Sequence, residues 1–263
     1  MKISQKLILG VLFIIALTAI AEYFSIRISQ KVLEDKIGRY SATQATMVLD
    51  AIEMKIQSRI EQVQAYAIDL SKESTIWEHR GDFETENSII QQNDQQWQSD
   101  FQQGRTNILM DKIQHNDLSC ELREEFVLKD FYEKAYGYPI WVEVFVTNEH
   151  GANIAQSEIT SDYYQADEDW WIKAKNDNLY IGDVNYDDSA GMYSIIISSR
   201  INDKEGNFLS VLKAEMNIHE ILDILDEVEK DSPFSSMDFK LLTGEGYLIH
   251  ATEGNSPEFT LRC

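Results

Sequence analysis

Proline and cysteine are scarce in this chain of 263 residues, which has three prolines and two cysteines. Cys120 and Cys263 lie far apart, so they form neither a metal-ligand spacing nor a disulfide framework. The five histidines are scattered, without a pair at i,i+4 that would place two imidazoles on one helix face. We therefore expect no metal site and no cofactor.

Basic residues are also few. The chain has 23 lysines and arginines against 45 acidic residues, for a formal net charge of −22. Binding a phosphate backbone needs a basic face, so nucleic acid is excluded as a partner. The sequence has no nucleophile elbow, Gly-rich phosphate loop, HExxH run or Cys–His arrangement in a motif context. We therefore do not expect this chain to be an enzyme.

One long apolar run, from Leu7 to Ala21, lies near the N-terminus and follows Lys2 and Lys6. The basic flank predicts that this end stays in the cytoplasm and that the rest is exported. Ala19-Ile20-Ala21 resembles a cleavage site, so a signal peptide is one interpretation. A membrane anchor through residues 7–25 is the other, and the unbroken helical pattern beyond it favours a single-pass membrane protein with an extracytoplasmic domain.

Helical periodicity follows the apolar run. From Val32 to Leu70 apolar residues recur every three or four positions, and the stripe changes face midway. This predicts a long stalk helix that either packs along its own domain or pairs in a homodimer. Residues 71–100 are polar and are expected to form loops between shorter helices, whereas residues 101–136 return to helical spacing.

The period changes to two within residues 137–220. The runs WVEVFVT, YSIIISSRI and FLSVLKAEMNI are predicted strands, with a turn at residues 149–151 and a hairpin loop at residues 202–207. The run HEILDILDEVEK is a predicted amphipathic helix. After Pro233, the run FKLLTGEGYLIHATEG is a second predicted hairpin.

The whole pattern resembles the extracytoplasmic double Cache sensor domains of bacterial and archaeal histidine kinases, chemoreceptors and cyclic-dinucleotide enzymes. The segments VFVTNEHGANIAQS, DYYQADEDWWIKA, YIGDVNYDDSAGMYSIIISSRI and EGNFLSVLKAEMNI carry the resemblance. It implies an α+β fold in which a membrane helix continues into the stalk helix. A PAS-like antiparallel lobe and the start of a second, incomplete PAS-like lobe would follow.

The domains expected from this resemblance are a cytoplasmic tip and membrane helix over 1–25, a helical region over 26–136 and a distal lobe over 137–220. A linker helix and a truncated proximal lobe would occupy 221–263. Compared with a complete receptor of this kind, the sequence has only part of the proximal lobe and has neither a second membrane span nor an output module. The chain is therefore expected to be the N-terminal part of a receptor.

The resemblance also implies where a small-molecule ligand binds. In amino-acid-binding members of the family, a Tyr, an Arg, a Trp and a Tyr are followed by a later Asp. In this sequence Tyr163, Glu168, Trp170, Trp171 and Asp187 occupy those positions. Their neighbours complete the expected site: Asp169, Tyr186 and Asp188.

Glu168 stands where the family has the arginine that would clamp a ligand carboxylate. We therefore expect a cationic ligand, an amine or a quaternary ammonium compound, held by acids and by cation–π contacts with Tyr163, Trp170 and Trp171. The structural alternatives are that one of the two tryptophans packs in the core, and that residues 167–169 are merely an acidic first helical turn. The functional alternatives are a ligand-free stalk module and a tethered extracytoplasmic enzyme.

Overall fold

The computed structural model describes residues 3–72, 87–187, 192–230, 239–243, 246 and 248–251, without the side chains of residues 4–9, 186, 187, 192 and 229. Its contacts divide the chain into two units, Met1–Ala51 and Ile52–Cys263. Each unit is described by itself below.

A single helix, α1 (Ile3–Lys72), contains the N-terminal apolar run and the predicted stalk. No proline interrupts it, and the prediction of an unbroken helix is confirmed. Within the described residues it is the one helix long and apolar enough to cross a membrane. The apolar side chains of Val11, Leu12 and Phe13 are exposed, as lipid contact would require.

In the described residues between α1 and the sheet, the second unit has four short helices and a π-helical turn. They are α2 (Asn87–Gln102), α3 (Ile108–Gln114), α4 (Asp117–Glu121), the π turn (Leu122–Val127) and α5 (Lys129–Tyr136). The prediction of loops over residues 71–100 is wrong for residues 87–100, which belong to α2. Ile90 and Trp97 are buried on one face of α2. Gln96 and Gln98 donate side-chain hydrogen bonds to Asp100 and Asp94, each one helical turn away. Residues 73–86 lie outside the described part of the chain.

The centre of the second unit is an antiparallel five-stranded sheet of order β2-β1-β5-β4-β3. Its strands are β1 (Trp141–Thr147), β2 (Asn153–Gln156), β3 (Leu179–Asp187), β4 (Met192–Asn202) and β5 (Phe208–Asn217). Helix α6 (Asp169–Asp177) precedes β3, and helix α7 (His219–Lys230) follows β5. The α+β class expected from the sequence is confirmed, and the arrangement is consistent with a PAS-like lobe.

A second, two-stranded sheet pairs β6 (Lys240–Leu242) with β7 (Leu248–Ala251). This confirms the second hairpin predicted from the sequence. Its place in a further PAS-like lobe stays a prediction, since residues 231–238 and 252–263 lie outside the described part of the chain.

Gly151 lies in the turn between β1 and β2 and contacts the loop that leads from β2 to α6. Its φ of +87° lies in the left-handed region, and a Cβ built there would stand 2.4 Å from the Cβ of Ala166. Its carbonyl accepts the N–H of Gln165 at 2.8 Å. Only glycine allows this approach, so Gly151 lets Gln165 and Ala166 pack directly on the β1–β2 turn.

The two faces of the sheet bury different partners. On one face, Tyr66 of α1 stacks on Phe126 at 4.7 Å, and Phe126 stacks on Trp141 at 5.0 Å. On the other face, α6 packs Trp170 and Trp171 against Phe145 and Val211. The α6 face also carries a row of charged side chains, which form the candidate site.

Candidate functional site

A buried lysine lies between two buried glutamates on the α6 face of the sheet. Strands β1 and β5 pair so that Glu143 is opposite Glu215 and Phe145 is opposite Lys213. The Nζ of Lys213 lies 2.5 Å from Oε1 of Glu215 and 3.2 Å from Oε2 of Glu143. Ser194 of β4 donates its hydroxyl to Oε2 of Glu215 at 2.8 Å. We call these four residues the lysine cluster.

Lys213 keeps its positive charge although its side chain is almost fully buried. Burial by itself would lower the pKa of Lys213, but the Coulombic attraction of Glu143 and Glu215, with their hydrogen bonds, outweighs it and raises the pKa. Two like charges opposite each other on paired strands repel. Lys213 therefore neutralises a repulsion that would otherwise oppose the pairing of β1 with β5.

Two aromatic rings complete the surroundings of the Lys213 ammonium. Its Nζ lies 5.0 Å from the ring centroid of Phe145 and 5.3 Å from that of Trp170. The two rings meet edge to face at 5.7 Å. A cation within about 6 Å of such faces is attracted by the ring quadrupole. The indole of Trp170, expected to face a ligand cation, thus faces a cation of the chain itself.

Trp171 packs in the same hydrophobic core as Trp170 but has different partners. Its Nε1 donates to Oγ1 of Thr147 at 2.9 Å, and its ring lies edge-on to Phe208 at 5.8 Å. The Nζ of Lys175 lies 4.6 Å from the Trp171 centroid and 4.7 Å from that of Phe208. Sequence reasoning allowed one of the two tryptophans a place in the core, and the structure places both there.

The acids in front of the tryptophans begin helix α6. Glu168 occupies the N-cap position with extended backbone angles, and Asp169 is in the first turn. Both are exposed, and Asp169 pairs with Lys173 at 3.5 Å. Their position agrees with the alternative that these acids complement the helix dipole.

A second acidic group, which sequence reasoning did not find, surrounds Asp162. Burial raises the pKa of Asp162 to about 6; Gln165 and Lys213 act in the opposite direction, whereas the negative charges of Asp94 and Glu168 add to the rise. Gln165 donates its Nε2 to Oδ1 of Asp162 at 2.7 Å. The charged form of Asp162 is therefore disfavoured by burial and by the charges of Asp94 and Glu168, and it is favoured by Gln165 and Lys213.

Buried polar groups hold the backbone of Asp162 in place. Its carbonyl accepts from Oγ1 of Thr160 at 2.6 Å, from Nδ2 of Asn153 at 3.1 Å and from Nε2 of Gln165 at 3.1 Å. All three donor residues are buried. The loop is thus a rigid support for its carboxylate rather than a loose surface segment.

Asp94 of α2 holds the next two residues of the same loop. Its Oδ1 accepts the N–H of Tyr163 at 2.9 Å and that of Tyr164 at 3.0 Å. Tyr163, a predicted ligand contact, is fully buried and stacks on Trp97 at 5.6 Å. The Nε1 of Trp97 donates to the carbonyl of Thr160 at 2.8 Å. Tyr163 therefore anchors the loop to α2.

The remaining predicted residues lie at the end of β3. Tyr186 pairs with Tyr193 and Asp187 with Met192 on the neighbouring strand β4. The side chains of Tyr186 and Asp187, and the whole of Asp188, lie outside the described part of the chain. Their contact with a ligand stays a prediction.

The structure thus brings Trp170 to the lysine cluster, whereas the indole N–H of Trp171, in the same hydrophobic core, bonds Thr147 instead. Charged residues inside strands that are otherwise apolar were the available clue to Glu143, Lys213 and Glu215. Such residues are seldom fully buried unless they are paired, so their presence in predicted buried strands indicated a partner. Which partner it is depends on the register of β1 with β5, which local patterns do not determine.

Several solved sensory domains are similar to this chain. The ligand-binding domain of the Campylobacter jejuni chemoreceptor Tlp3, in complex with L-norvaline, is 14% identical, with 77% of this chain and 71% of that one covered and a TM-score of 0.37. The ligand-binding domain of the Pseudomonas aeruginosa PAO1 amino acid chemoreceptor PctC, in complex with GABA, is 13% identical, with 82% and 73% covered and a TM-score of 0.46.

An extracellular ligand binding receptor from Desulfohalobium retbaense is 11% identical, with 63% of this chain and 30% of that one covered and a TM-score of 0.37. No family model matches the chain, and no curated protein sequence does. All three similar structures are described as ligand-binding domains or receptors. At such scores they carry no argument about the ligand, which has to rest on the residues of this chain.

Proposed function

We propose that this chain is the extracytoplasmic ligand-sensing part of a membrane-anchored receptor, and that its ligand is a small cationic amine bound beside Asp162. The observation that carries the proposal is a half-buried carboxyl group, Asp162, in a loop whose next two residues are bonded by a second carboxylate, Asp94. Asp162 is near Asp94 and Glu168, and the nearby cation, Lys213, is already held by Glu143 and Glu215.

A bound ammonium would supply the positive charge that this group of acids needs. It would lower the pKa of Asp162, which burial and the neighbouring carboxylates raise. A ligand carboxylate would instead meet three carboxylates and a lysine that is already paired. The site therefore favours an amine over an anion.

Membrane anchoring through α1 is part of the proposal. The run from Leu7 to Ala21 lies in α1, and the helix continues without a break to Lys72. Lys2 and Lys6 place the N-terminus on the cytoplasmic side. The second unit would then be outside the cytoplasm, where it can meet ligands.

The route from the site to α1 runs along β5. This strand carries Lys213 and Glu215 and leads directly into α7, whose first turn contains Glu220. Arg59 of α1 donates its Nε to Oε2 of Glu220 at 2.8 Å, and Lys55 lies 3.5 Å from Oε1. Ligand binding would change the balance between two positions of β5, and the Arg59–Glu220 pair would pass that change to α1.

A thermal-shift screen tests the proposal. The purified chain in detergent is melted at pH 7.5 with amines, with carboxylates of the same size and with α-amino acids. We expect a rise in Tm for one or more amines and none for the carboxylates. Stabilisation by anions alone would contradict the amine, and a Tm that no small molecule changes would favour the stalk module instead.

A further inference from the structure

The surroundings of Lys213 have the composition of a binding site for an alkylammonium ion. Two carboxylate oxygens, of Glu215 and Glu143, lie 2.5 Å and 3.2 Å from its Nζ. Two aromatic faces, of Phe145 and Trp170, have their centroids at 5.0 Å and 5.3 Å. Carboxylates accept from an ammonium and aromatic faces attract it, so the four side chains form a cage suited to a primary amine.

We propose that Lys213 is the resident occupant of this cage and thereby determines where a ligand amine can bind. The inference rests on the proposed function only for the identity of that ligand as an amine. An ammonium tethered to β5 has a high effective concentration at the cage, so a free amine at low concentration cannot displace it. The cage at Trp170 is thus closed to ligands, and a ligand ammonium is directed to the acids around Asp162.

Removing the side chain beyond Cβ should open the cage to a free amine. The atoms that Lys213→Ala removes correspond to n-propylammonium. For a ligand of four non-hydrogen atoms, the binding free energy available per atom allows a Kd on the order of 1 mM. The variant should melt below the unmodified chain, because two buried carboxylates lose their counter-ion. We expect n-propylammonium chloride at millimolar concentrations to restore the Tm of Lys213→Ala and to leave that of the unmodified chain unchanged.

The full chain in detergent is used throughout. Three additives serve as controls: sodium chloride, which lacks the organic cation; 1-propanol, which is uncharged; and sodium propionate, whose organic ion is an anion. Lys175→Ala is the matched control. The Nζ of Lys175 also lies over two aromatic rings, at 4.6 Å and 4.7 Å, but among the described side chains no carboxylate forms an ion pair with it. Lys175→Ala should show no rescue by n-propylammonium.

If Lys213→Ala does not fold, the double variant Lys213→Ala, Glu143→Gln is used, since it leaves one uncompensated carboxylate instead of two. It should still respond to n-propylammonium through Glu215. Equal responses to n-propylammonium and 1-propanol, or no response in either variant, would overturn the inference. If n-propylammonium rescues Lys213→Ala but no amine stabilises the unmodified chain, the proposed amine ligand is contradicted and the cage is supported. If an amine stabilises the unmodified chain but n-propylammonium does not rescue the variant, only the cage is contradicted.

Discussion

Replacing Asp162 by asparagine should stabilise the protein at neutral pH. Burial and two neighbouring carboxylates raise the pKa of Asp162 from 3.8 to about 6. A pKa difference of that size between the folded and unfolded states corresponds to about 3 kcal/mol of unfolding free energy. Because solvent reaches the half-buried carboxyl group, the expected effect is reduced to about 2 kcal/mol. Asparagine keeps the oxygen that accepts from Gln165, so the substitution removes chiefly the charge.

The sign of the pH dependence follows from the direction of the pKa. The folded protein binds the Asp162 proton more tightly than the unfolded chain does. The contribution of Asp162 to stability is therefore complete below pH 3.8 and is lost as the pH rises through about 6. Relative to the unmodified chain, Asp162→Asn should be more stable by about 2 kcal/mol at pH 7.5 and of nearly equal stability at pH 4.

Urea unfolding monitored by tryptophan fluorescence at a series of pH values measures this difference. Asp203→Asn is the matched control, because the hydrogen bond from Asn207, with further bonds from the backbone, lowers the pKa of Asp203 despite some desolvation. That variant should be less stable than the unmodified chain at neutral pH, and the deficit should disappear as the pH falls through the lowered pKa. A difference for Asp162→Asn that is constant from pH 4 to 7.5 would refute the reasoning about Asp162.

Three further predictions concern the loop, the route to α1 and the stalk. Gly151→Ala should lower the unfolding free energy by about 3 kcal/mol. The φ of Gly151 is +87°, which strains any other residue, and the new methyl group would lie 2.4 Å from the Cβ of Ala166. Urea unfolding measures this, and a loss below about 1 kcal/mol would contradict it. Glu220→Gln should lower the unfolding free energy by about 3 kcal/mol, because it leaves the largely buried guanidinium of Arg59 without its carboxylate partner; urea unfolding measures this. Any amine-dependent change in crosslinking between cysteines placed along α1 should also disappear in this variant. If α1 pairs with a second copy, Met54→Cys, at an exposed position, should form a disulfide-linked dimer on oxidation, whereas an exposed cysteine on α3 should not.

Much of the fold could be predicted because its strands have strong local patterns. The alternation in WVEVFVT and the β-branched run YSIIISSRI indicate β1 and β4, and polar turn residues separate β4 from β5. Helix α2 was missed because only Ile90 and Trp97 bury its inner face. A polar helix of this kind is stabilised by tertiary packing, which short windows of sequence do not reveal.

The candidate site was harder to predict than the fold. Trp170 could be selected from its neighbourhood of acids, but the cation that it faces, Lys213, comes from a distant strand. Asp94 is held at the loop of Asp162 by the backbone N–H groups of Tyr163 and Tyr164, which are 69 and 70 positions away from it in the sequence. Both arrangements depend on contacts between residues far apart in the sequence, so they could be identified only in the folded structure.

Isothermal titration calorimetry of the purified chain with the stabilising amine, compared with Asp162→Asn, tests the central claim most directly. We expect the affinity of the unmodified chain to increase from pH 5 to pH 7.5 as Asp162 loses its proton, and the Asp162→Asn variant to bind at least about tenfold more weakly at pH 7.5. An amine that binds both proteins equally, with no change across that pH range, would contradict the account.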